Sequence, residues 1–160
     1  MRIAVRLAAA AGVVLGALSV ADSVDGQSRR SASQFATASL TIETASGKRE
    51  FTVEVARTQR QHAQGLMFRR RLAADAGMLF VYRRVADVAM WMRNTFIPLD
   101  MLFIGADRRI AHIVERTVPM STTTIESGGP VSSVLELNAG TVSRLGIRPG
   151  DVVSSPAFAR

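Results

Sequence analysis

The stretch from residue 90 to residue 104 places polar side chains between two apolar runs. Trp91 and Arg93 stand two positions apart, so in an extended strand both side chains point to the same face. An indole beside a guanidinium can stack on a flat ligand and can bind anions or hydroxyl groups. Asn94 follows directly and adds an amide. These residue types indicate a binding site, although they also suit a core tryptophan, an ion-paired arginine and a turn.

Two carboxyl groups lie in segments that are otherwise apolar. Asp100 interrupts the run from Leu99 to Ile104, and Glu136 stands between two leucines. Burying an unpaired carboxylate is costly, so each carboxyl needs a partner, a cleft or a bound proton. One hypothesis pairs them with arginines such as Arg93 in structural ion pairs. The others use them to bind a ligand, or as a general acid and base.

A short helix contributes one further candidate. Thr58 and Gln61 have the spacing of a capping box, which predicts that a helix begins after Thr58. Arg60 lies on this helix, and we include it among the ligand-binding candidates. The two histidines of the chain show no metal-ligand spacing of the HExxH kind. No metal and no cofactor is therefore predicted.

The composition excludes several classes of site. The chain has no cysteine, which excludes disulfides, thiolate nucleophiles and cysteine-based zinc sites. Its formal charge of +7 comes mostly from arginines that are spread along the sequence. Because no dense basic stripe with interleaved aromatics is visible, a nucleic-acid partner is not expected.

The N-terminus has the pattern of a secretory signal peptide over residues 1–26. Arg2 and Arg6 precede an apolar run that ends at Ala21, and small residues permit cleavage after Ala21 or after Gly26. We therefore expect export to the periplasm or the extracellular space, with an uncleaved membrane anchor as the alternative. Residues 27–38 read as a flexible linker. Residues 39–155 are expected to form a single globular domain.

Short apolar segments bounded by turn residues predict a domain made mainly of strands. The fold class that follows is α+β, a mainly antiparallel sheet or small barrel-like domain with two short helices. The predicted strands cover residues 40–44, 51–56, 78–82, 88–92, 99–104, 110–115, 131–137 and 152–153, and the predicted helices cover residues 59–67 and 139–145.

An ordered set of short motifs carries a family resemblance. The motifs are Phe51–Ala56, Arg60, Gly65–Met67, Arg69, Gly77–Phe80, Trp91–Thr95, Ile97–Asp100, Phe103–Ile104, Val134–Leu137, Ala139–Gly140, Gly146–Ile147 and Gly150–Asp151. Over about residues 40 to 153 they resemble the family titled "domain of unknown function 192". The resemblance implies a compact, mainly β domain that is frequently exported, and it brings no established activity and no agreed catalytic residues.

The chain departs from that family pattern at three places. Met90 stands where the family usually has an aromatic residue before the tryptophan. Arg93 stands where lysine is common, which keeps the charge but changes the hydrogen-bonding geometry. The turn that begins at Gly105 also differs, which affects the turn geometry expected there.

Three functional hypotheses follow. The first is a non-enzymatic binding module for a small polar or anionic ligand, and its candidate residues are Arg60, Trp91, Arg93, Asn94, Asp100 and Glu136. The second is a cell-envelope hydrolase that uses Asp100 and Glu136. The third is an envelope interaction module that uses the loop over residues 118–130 or an exposed apolar patch. No reaction is predicted from the sequence.

Overall fold

A computed structural model of the protein describes residues 35–159. The predicted signal peptide and most of the predicted linker lie outside the described residues. The first strand begins at Ala36, which is three positions before the expected start of the domain. No helix within residues 35–159 has the length and apolar character needed to cross a membrane.

β-Strands are the main regular structure of the described chain. The strands are β1 (Ala36–Thr44), β2 (Gly47–Ala56), β3 (Ala76–Ala86), β4 (Ala89–Met90), β5 (Leu99–Ile104), β6 (Ile110–Val114), β7 (Ile125–Glu126), β8 (Val131–Asn138) and β9 (Val152–Ser154). The α-helices are α1 (Gln59–Gln64) and α2 (Thr141–Leu145), and a 3₁₀ turn covers Pro156–Phe158. Both helices are shorter than the sequence pattern predicts.

Seven of these strands form one sheet in the order β6-β5-β8-β3-β2-β1-β9, and β4 pairs separately with β7. The β2–β3 pair is parallel and the other pairs are antiparallel. A parallel pair requires a crossover connection, and the segment that contains α1 supplies it. This topology puts β8 at the middle of the sheet, between β5 and β3.

The two edges of the large sheet meet. The Ile110 amide donates to the Asp151 carbonyl at 3.0 Å, and the Gly150 amide donates to the Ile110 carbonyl at 2.7 Å. The Val153 amide donates to the Arg108 carbonyl at 2.8 Å. These bonds satisfy backbone groups that open edge strands would leave unpaired. The sheet therefore curls into an incomplete barrel, which confirms the predicted α+β class with a mainly antiparallel, barrel-like sheet and two short helices.

Each face of the sheet carries its own apolar core. The first core contains the buried residues Leu40, Ile42, Phe51, Val53, Val55, Leu79, Leu102, Ile104, Ile110, Leu135, Leu137, Val142, Ile147, Val153 and Ala157. The second contains Ala56, Leu66, Met78, Phe80, Met92, Leu99, Met101, Phe103, Val131 and Val134. Because successive side chains of a strand alternate between faces, β5 and β8 supply both cores. This explains why every residue of β5 is buried.

A substitution at Gly77 tests how closely β3 packs against the central strand β8. A Cβ atom at this position would lie 2.7 Å from the Glu136 carbonyl oxygen and 2.8 Å from Leu137 Cδ2. We expect Gly77→Ala to lower the free energy of unfolding by about 1–3 kcal/mol, measured by urea denaturation, because the backbone of β8 must move.

Gly105→Ala is the matched control for this substitution. Its Cβ would lie 2.7 Å from Oδ1 of Asp107, an exposed side chain that can rotate away, and at an ordinary contact distance of 3.7 Å from the Arg109 carbonyl oxygen. Equal losses for the two variants would contradict close packing of β3 against β8.

Candidate functional site

The middle of the sheet presents a carboxyl group to the second core. Glu136 pairs with Met78 of β3 and with Met101 of β5, so apolar strands flank it on both sides. The residue is 4% exposed. Within residues 35–159, no hydrogen bond and no ion pair reaches its carboxyl group. Glu136 is therefore a buried acid without a protein partner in the described structure.

Burial determines the protonation of this acid. Loss of solvent raises the pKa of Glu136 from 4.5 to about 8, because an apolar environment disfavours the charged form. Tyr82 lies close enough to Glu136 for the charge of the carboxylate to affect its hydroxyl. The pKa of the Tyr82 hydroxyl is raised, first by burial and then by the charge of Glu136. At pH 7 the carboxyl group of Glu136 is therefore mostly protonated.

The first wall of the site is α1 with the residues that follow it. Thr58 caps the helix, since its hydroxyl accepts from the Gln61 amide and the Gln61 side chain accepts from the Thr58 amide. Gly65 ends the helix with φ 46°, and a Cβ there would lie 3.2 Å from Phe80 Cζ. Glycine therefore permits both the turn and the close approach of α1 to β3. His62 Nε2 donates to the Ala56 carbonyl at 3.0 Å, which holds the helix against the end of β2.

The second wall is the turn after β4. The sequence predicts a strand over residues 88–92, but only Ala89–Met90 is extended. The Thr95 amide donates to the Met92 carbonyl at 3.0 Å, which closes a turn. Asn94 lies inside it with φ 56°, a left-handed conformation that asparagine tolerates better than most residues.

Hydrogen bonds hold this turn on both sides. The Phe68 amide donates to the Asn94 carbonyl at 2.8 Å, which connects the turn to the segment after α1. The Met92 amide donates to the Ser121 carbonyl at 3.0 Å, and the Met120 amide donates to the Thr95 carbonyl at 3.0 Å. The position of the second wall is therefore fixed relative to the first.

The two walls and the sheet enclose a pocket of about 370 Å³. Its lining includes polar and charged residues, namely Glu136, His62, Tyr82, Thr95 and Arg93, and apolar residues, namely Leu66, Met67, Phe80, Val88, Met90 and Trp91. This volume lies within the range of small-molecule sites, and the mixture of apolar walls with a few polar groups is typical of them.

The structure brings together three of the six candidate residues. Trp91, Arg93 and Glu136 line the pocket, whereas Arg60, Asn94 and Asp100 are not among its lining residues. Arg60 is exposed on α1. The Asn94 side chain makes a long contact of 3.9 Å from Nδ2 to Met67 Sδ, so its observed role is to form the turn.

Asp100 has a structural role on the other face of the sheet. It is fully buried, its Oδ1 accepts from the Arg116 amide at 2.9 Å, and its Oδ2 accepts from the Val142 amide at 2.9 Å. Val142 belongs to the first turn of α2, whose N-cap Gly140 offers no side-chain hydrogen bond. Asp100 therefore caps α2 from a neighbouring strand, where a negative charge favours the helix N-terminus.

Asp100 and Glu136 do not form the acid and base pair that one of the hypotheses builds from them. In the β5–β8 register Asp100 lies opposite Leu137 and Glu136 lies opposite Met101. Strand alternation then puts the two carboxyls on opposite faces, so they cannot act on one substrate. The expected ion pairs of these carboxyls with arginine are absent among the described residues as well, since Asp100 bonds backbone amides and Glu136 has no partner.

Sequence reasoning missed four pocket residues with useful chemistry: His62, Phe80, Tyr82 and Thr95. The His62 ring lies 4.8 Å from the Tyr82 ring and 5.9 Å from the Phe80 ring, between centroids. The crossover connection brings these rings together. The capping box could have placed His62 on the inner side of α1, but no local signal connects α1 with the end of β3.

Metal binding has no support from this part of the chain. Within residues 35–159, no group of three or more histidine, aspartate or glutamate side chains is arranged to hold a metal ion. Glu136 pairs across the sheet with Met78 and Met101, whose side chains carry no oxygen to share a metal ion with it.

Asp100→Asn tests the structural role of Asp100. Asparagine keeps one acceptor oxygen but turns an NH₂ group toward the second backbone amide. We expect a loss of about 2–4 kcal/mol in the free energy of unfolding, because hydrogen bonds to a charged group are strong and a buried amide would lose its acceptor. Asp75→Asn, at an exposed site, should change stability by less than about 0.5 kcal/mol. Equal stability of the two variants would refute the capping role.

A comparison of the wild type with Glu136→Gln tests whether the acid is buried, because burial makes the free energy of unfolding depend on pH. The pKa of Glu136 in the folded state, about 8, exceeds its value of 4.5 in the unfolded chain. The stability that the protonated form provides is therefore complete below pH 4.5 and is lost as pH rises to about 8.

Relative to Glu136→Gln, the wild type should lose at most about 1.4 kcal/mol per pH unit across this window and then level off. Urea denaturation at several pH values measures the difference. The two proteins share every other side chain, so the comparison isolates the effect of Glu136. A difference that does not change with pH would show that the carboxyl is solvated.

Two solved structures share this fold. One is a proposed transcription regulator from Sinorhizobium meliloti 1021, with 49% sequence identity, a TM-score of 0.75, and coverage of 77% of this chain and 96% of that chain. The other is a protein of unknown function from Novosphingobium aromaticivorans DSM 12444, with 42% identity, a TM-score of 0.75, and coverage of 77% and 88%. A comparison with curated protein sequences gives no significant match.

The family profile of domain of unknown function 192, described as "Uncharacterized ACR", matches residues 41–155. The match covers nearly all of the described domain, including both carboxyl positions and both walls of the pocket. The chain therefore belongs to the DUF192 family, as its motifs predict.

Proposed function

We propose that the protein is a binding module that holds a small organic ligand in the pocket between α1 and the turn after β4. The observation that carries this proposal is Glu136, a buried acid that faces the pocket and has no partner in the described structure. A buried polar group without a hydrogen bond is rare and costly, so it usually has a functional reason.

The rim of the pocket supports the same proposal. Trp91 is 50% exposed although it is the largest apolar side chain in the chain. Arg93 is also exposed and lines the same opening. An exposed indole beside a pocket offers a stacking surface to a ligand that enters. The ligand would therefore contact Trp91 at the rim and Glu136 at the base.

A hydrolase has less support than a binding module. The carboxyl pair on which it would depend is divided between the two faces of the sheet. Of the pair, only Glu136 lines the pocket. One carboxyl without its expected partner can bind and position a ligand, and it does not form the acid and base that glycoside hydrolysis requires.

An apolar patch favours a second function, as a protein-interaction module. Phe68, Phe96, Val118 and Met120 are 60%, 40%, 68% and 51% exposed. The Phe68 and Phe96 rings lie 6.1 Å apart, and Arg70 stacks over the Phe96 ring at 5.7 Å. Exposed apolar patches often mark interaction surfaces. This patch borders the pocket through the turn after β4.

Ligand binding can be followed with the single tryptophan of the chain. We expect a screen of small sugars, organic acids, amines and nucleosides to yield a ligand that changes Trp91 fluorescence and raises the melting temperature. At a hundred times its dissociation constant, such a ligand adds about 2.7 kcal/mol of stability, which corresponds to several degrees for a domain of this size.

Arg93→Gln should weaken the binding of a ligand that reaches the rim, and Arg148→Gln is the control with the same change in charge at an exposed position outside the pocket. Equal effects of the two variants would point to a general charge effect. A screen with no response in either observable would contradict the proposed function.

A further inference from the structure

We infer that the ligand of this pocket is an organic cation, with its positive group against the Glu136 carboxylate and its apolar body against the aromatic walls. The inference rests on the proposed binding function and names the ligand class for the same site. It differs from the polar or anionic ligand that the sequence suggests.

The first argument is that no positive group of the described protein pairs with Glu136 at the bottom of the pocket. Met78 and Met101 flank Glu136 across the sheet, and neither can neutralise a carboxylate. A carboxylate in such a place requires a positive partner with good geometry. Because the described chain supplies none, a cationic ligand is the group that complements the site.

The second argument is the nature of the walls. The rings of Phe80, Tyr82 and Trp91 line the pocket. Aromatic faces attract cations, and recognition of substituted ammonium groups by several rings is well established. Sulfur atoms of Met67 and Met90 add polarisable surface without positive charge. The walls therefore suit a positive group that carries alkyl substituents.

The other charged and titratable groups of the pocket are compatible with this ligand. His62 faces the site from α1, and its Nε2 proton already goes to the Ala56 carbonyl. Tyr82 faces the site from β3, and its hydroxyl donates to Met90 Sδ at 3.5 Å. Asp87 and Arg93, of opposite charge, line the opening. Among these groups only Arg93 has a permanent positive charge, and its exposed position is at the rim.

An anionic ligand is less compatible with Glu136 at the bottom of the pocket. Its charge would meet either a carboxylate, which repels it, or a protonated carboxyl, which offers only one donor. Arg93 could hold an anion at the rim, where water weakens the interaction. The unpartnered acid would then remain unexplained. Glu136 therefore favours the cation over the anion.

Binding of a cation is coupled to release of the Glu136 proton. Without a bound cation, Glu136 keeps this proton up to about pH 8, and the ion pair forms only after the proton leaves for solvent. Affinity for a permanently charged cation should therefore rise about tenfold from pH 7 to pH 9 and level off.

Choline is a suitable probe, because its trimethylammonium charge does not change with pH. Its uncharged isostere carries a tert-butyl group instead. We expect choline to bind more than tenfold more tightly than the isostere at pH 9, as measured by Trp91 fluorescence and by calorimetry. Calorimetry at pH 7 in two buffers with different ionisation enthalpies should show release of nearly one proton per choline bound.

Glu136→Gln keeps the size of the side chain and removes its charge. This variant should bind choline and the isostere within about twofold of each other and should release no proton. Glu50→Gln, an exposed carboxyl outside the pocket, should behave like the wild type. Urea denaturation of each variant verifies that it is folded.

The outcomes separate this inference from the proposed function. If the isostere or another neutral or anionic compound binds in the pocket and choline has no advantage, the cation inference is wrong and the binding function stands. Affinity for any ligand that falls above pH 8 would instead assign Glu136 as a hydrogen-bond donor and would overturn the inference. If neither these probes nor the wider screen gives a response, both proposals fail.

Discussion

The carboxylate of Asp100 is the interaction on which the architecture depends. It accepts hydrogen bonds from the amides of Arg116 and Val142, so one side chain of β5 joins the segment after β6 to the start of α2. Each amide is a donor that would otherwise lack a partner in the interior. The strand that carries Asp100 is buried along its whole length and pairs with the central strand β8. An acid inside an apolar strand is therefore stable here because backbone groups supply all of its partners.

Glu136 shows the opposite solution to the same problem. Both acids lie in buried strands of one sheet, but Asp100 has two fixed donors and Glu136 has none in the described structure. In one environment two backbone amides supply hydrogen bonds to the acid, and in the other burial raises the pKa of the acid and favours its protonated form. The first acid is consequently part of the framework. The second is available to a ligand, because nothing in the described protein already satisfies it.

The pocket exists because two irregular segments close over the sheet beside Glu136. Gly65 lets the end of α1 approach Phe80, and the left-handed Asn94 turns the chain so that Trp91 and Arg93 reach the opening. Neither segment is part of the large sheet. A backbone hydrogen bond from the Phe68 amide to the Asn94 carbonyl connects the two segments. The sheet thus forms the bottom of the pocket, and the turns that it positions form the walls that would select a ligand.

Local sequence predicted most of the elements of this protein, but not β7, which lies in the segment expected to be a loop. Short apolar segments bounded by turn residues predicted the other strands, and Thr58 with Gln61 predicted the start of α1, because each of these signals acts within a few residues. Local sequence also marked Asp100 and Glu136 as unusual.

The separation of these two acids was decided by the β5–β8 register, a long-range property that a one-residue shift would reverse. The tertiary structure likewise placed His62 beside Tyr82, and it gathered Arg57, the adjacent residues Arg83 and Arg84, and Arg108 around one cleft. Sequence could identify the groups able to do chemistry, but only the folded sheet decides which of them share a site, since a face of a sheet is assembled from strands that are distant along the chain.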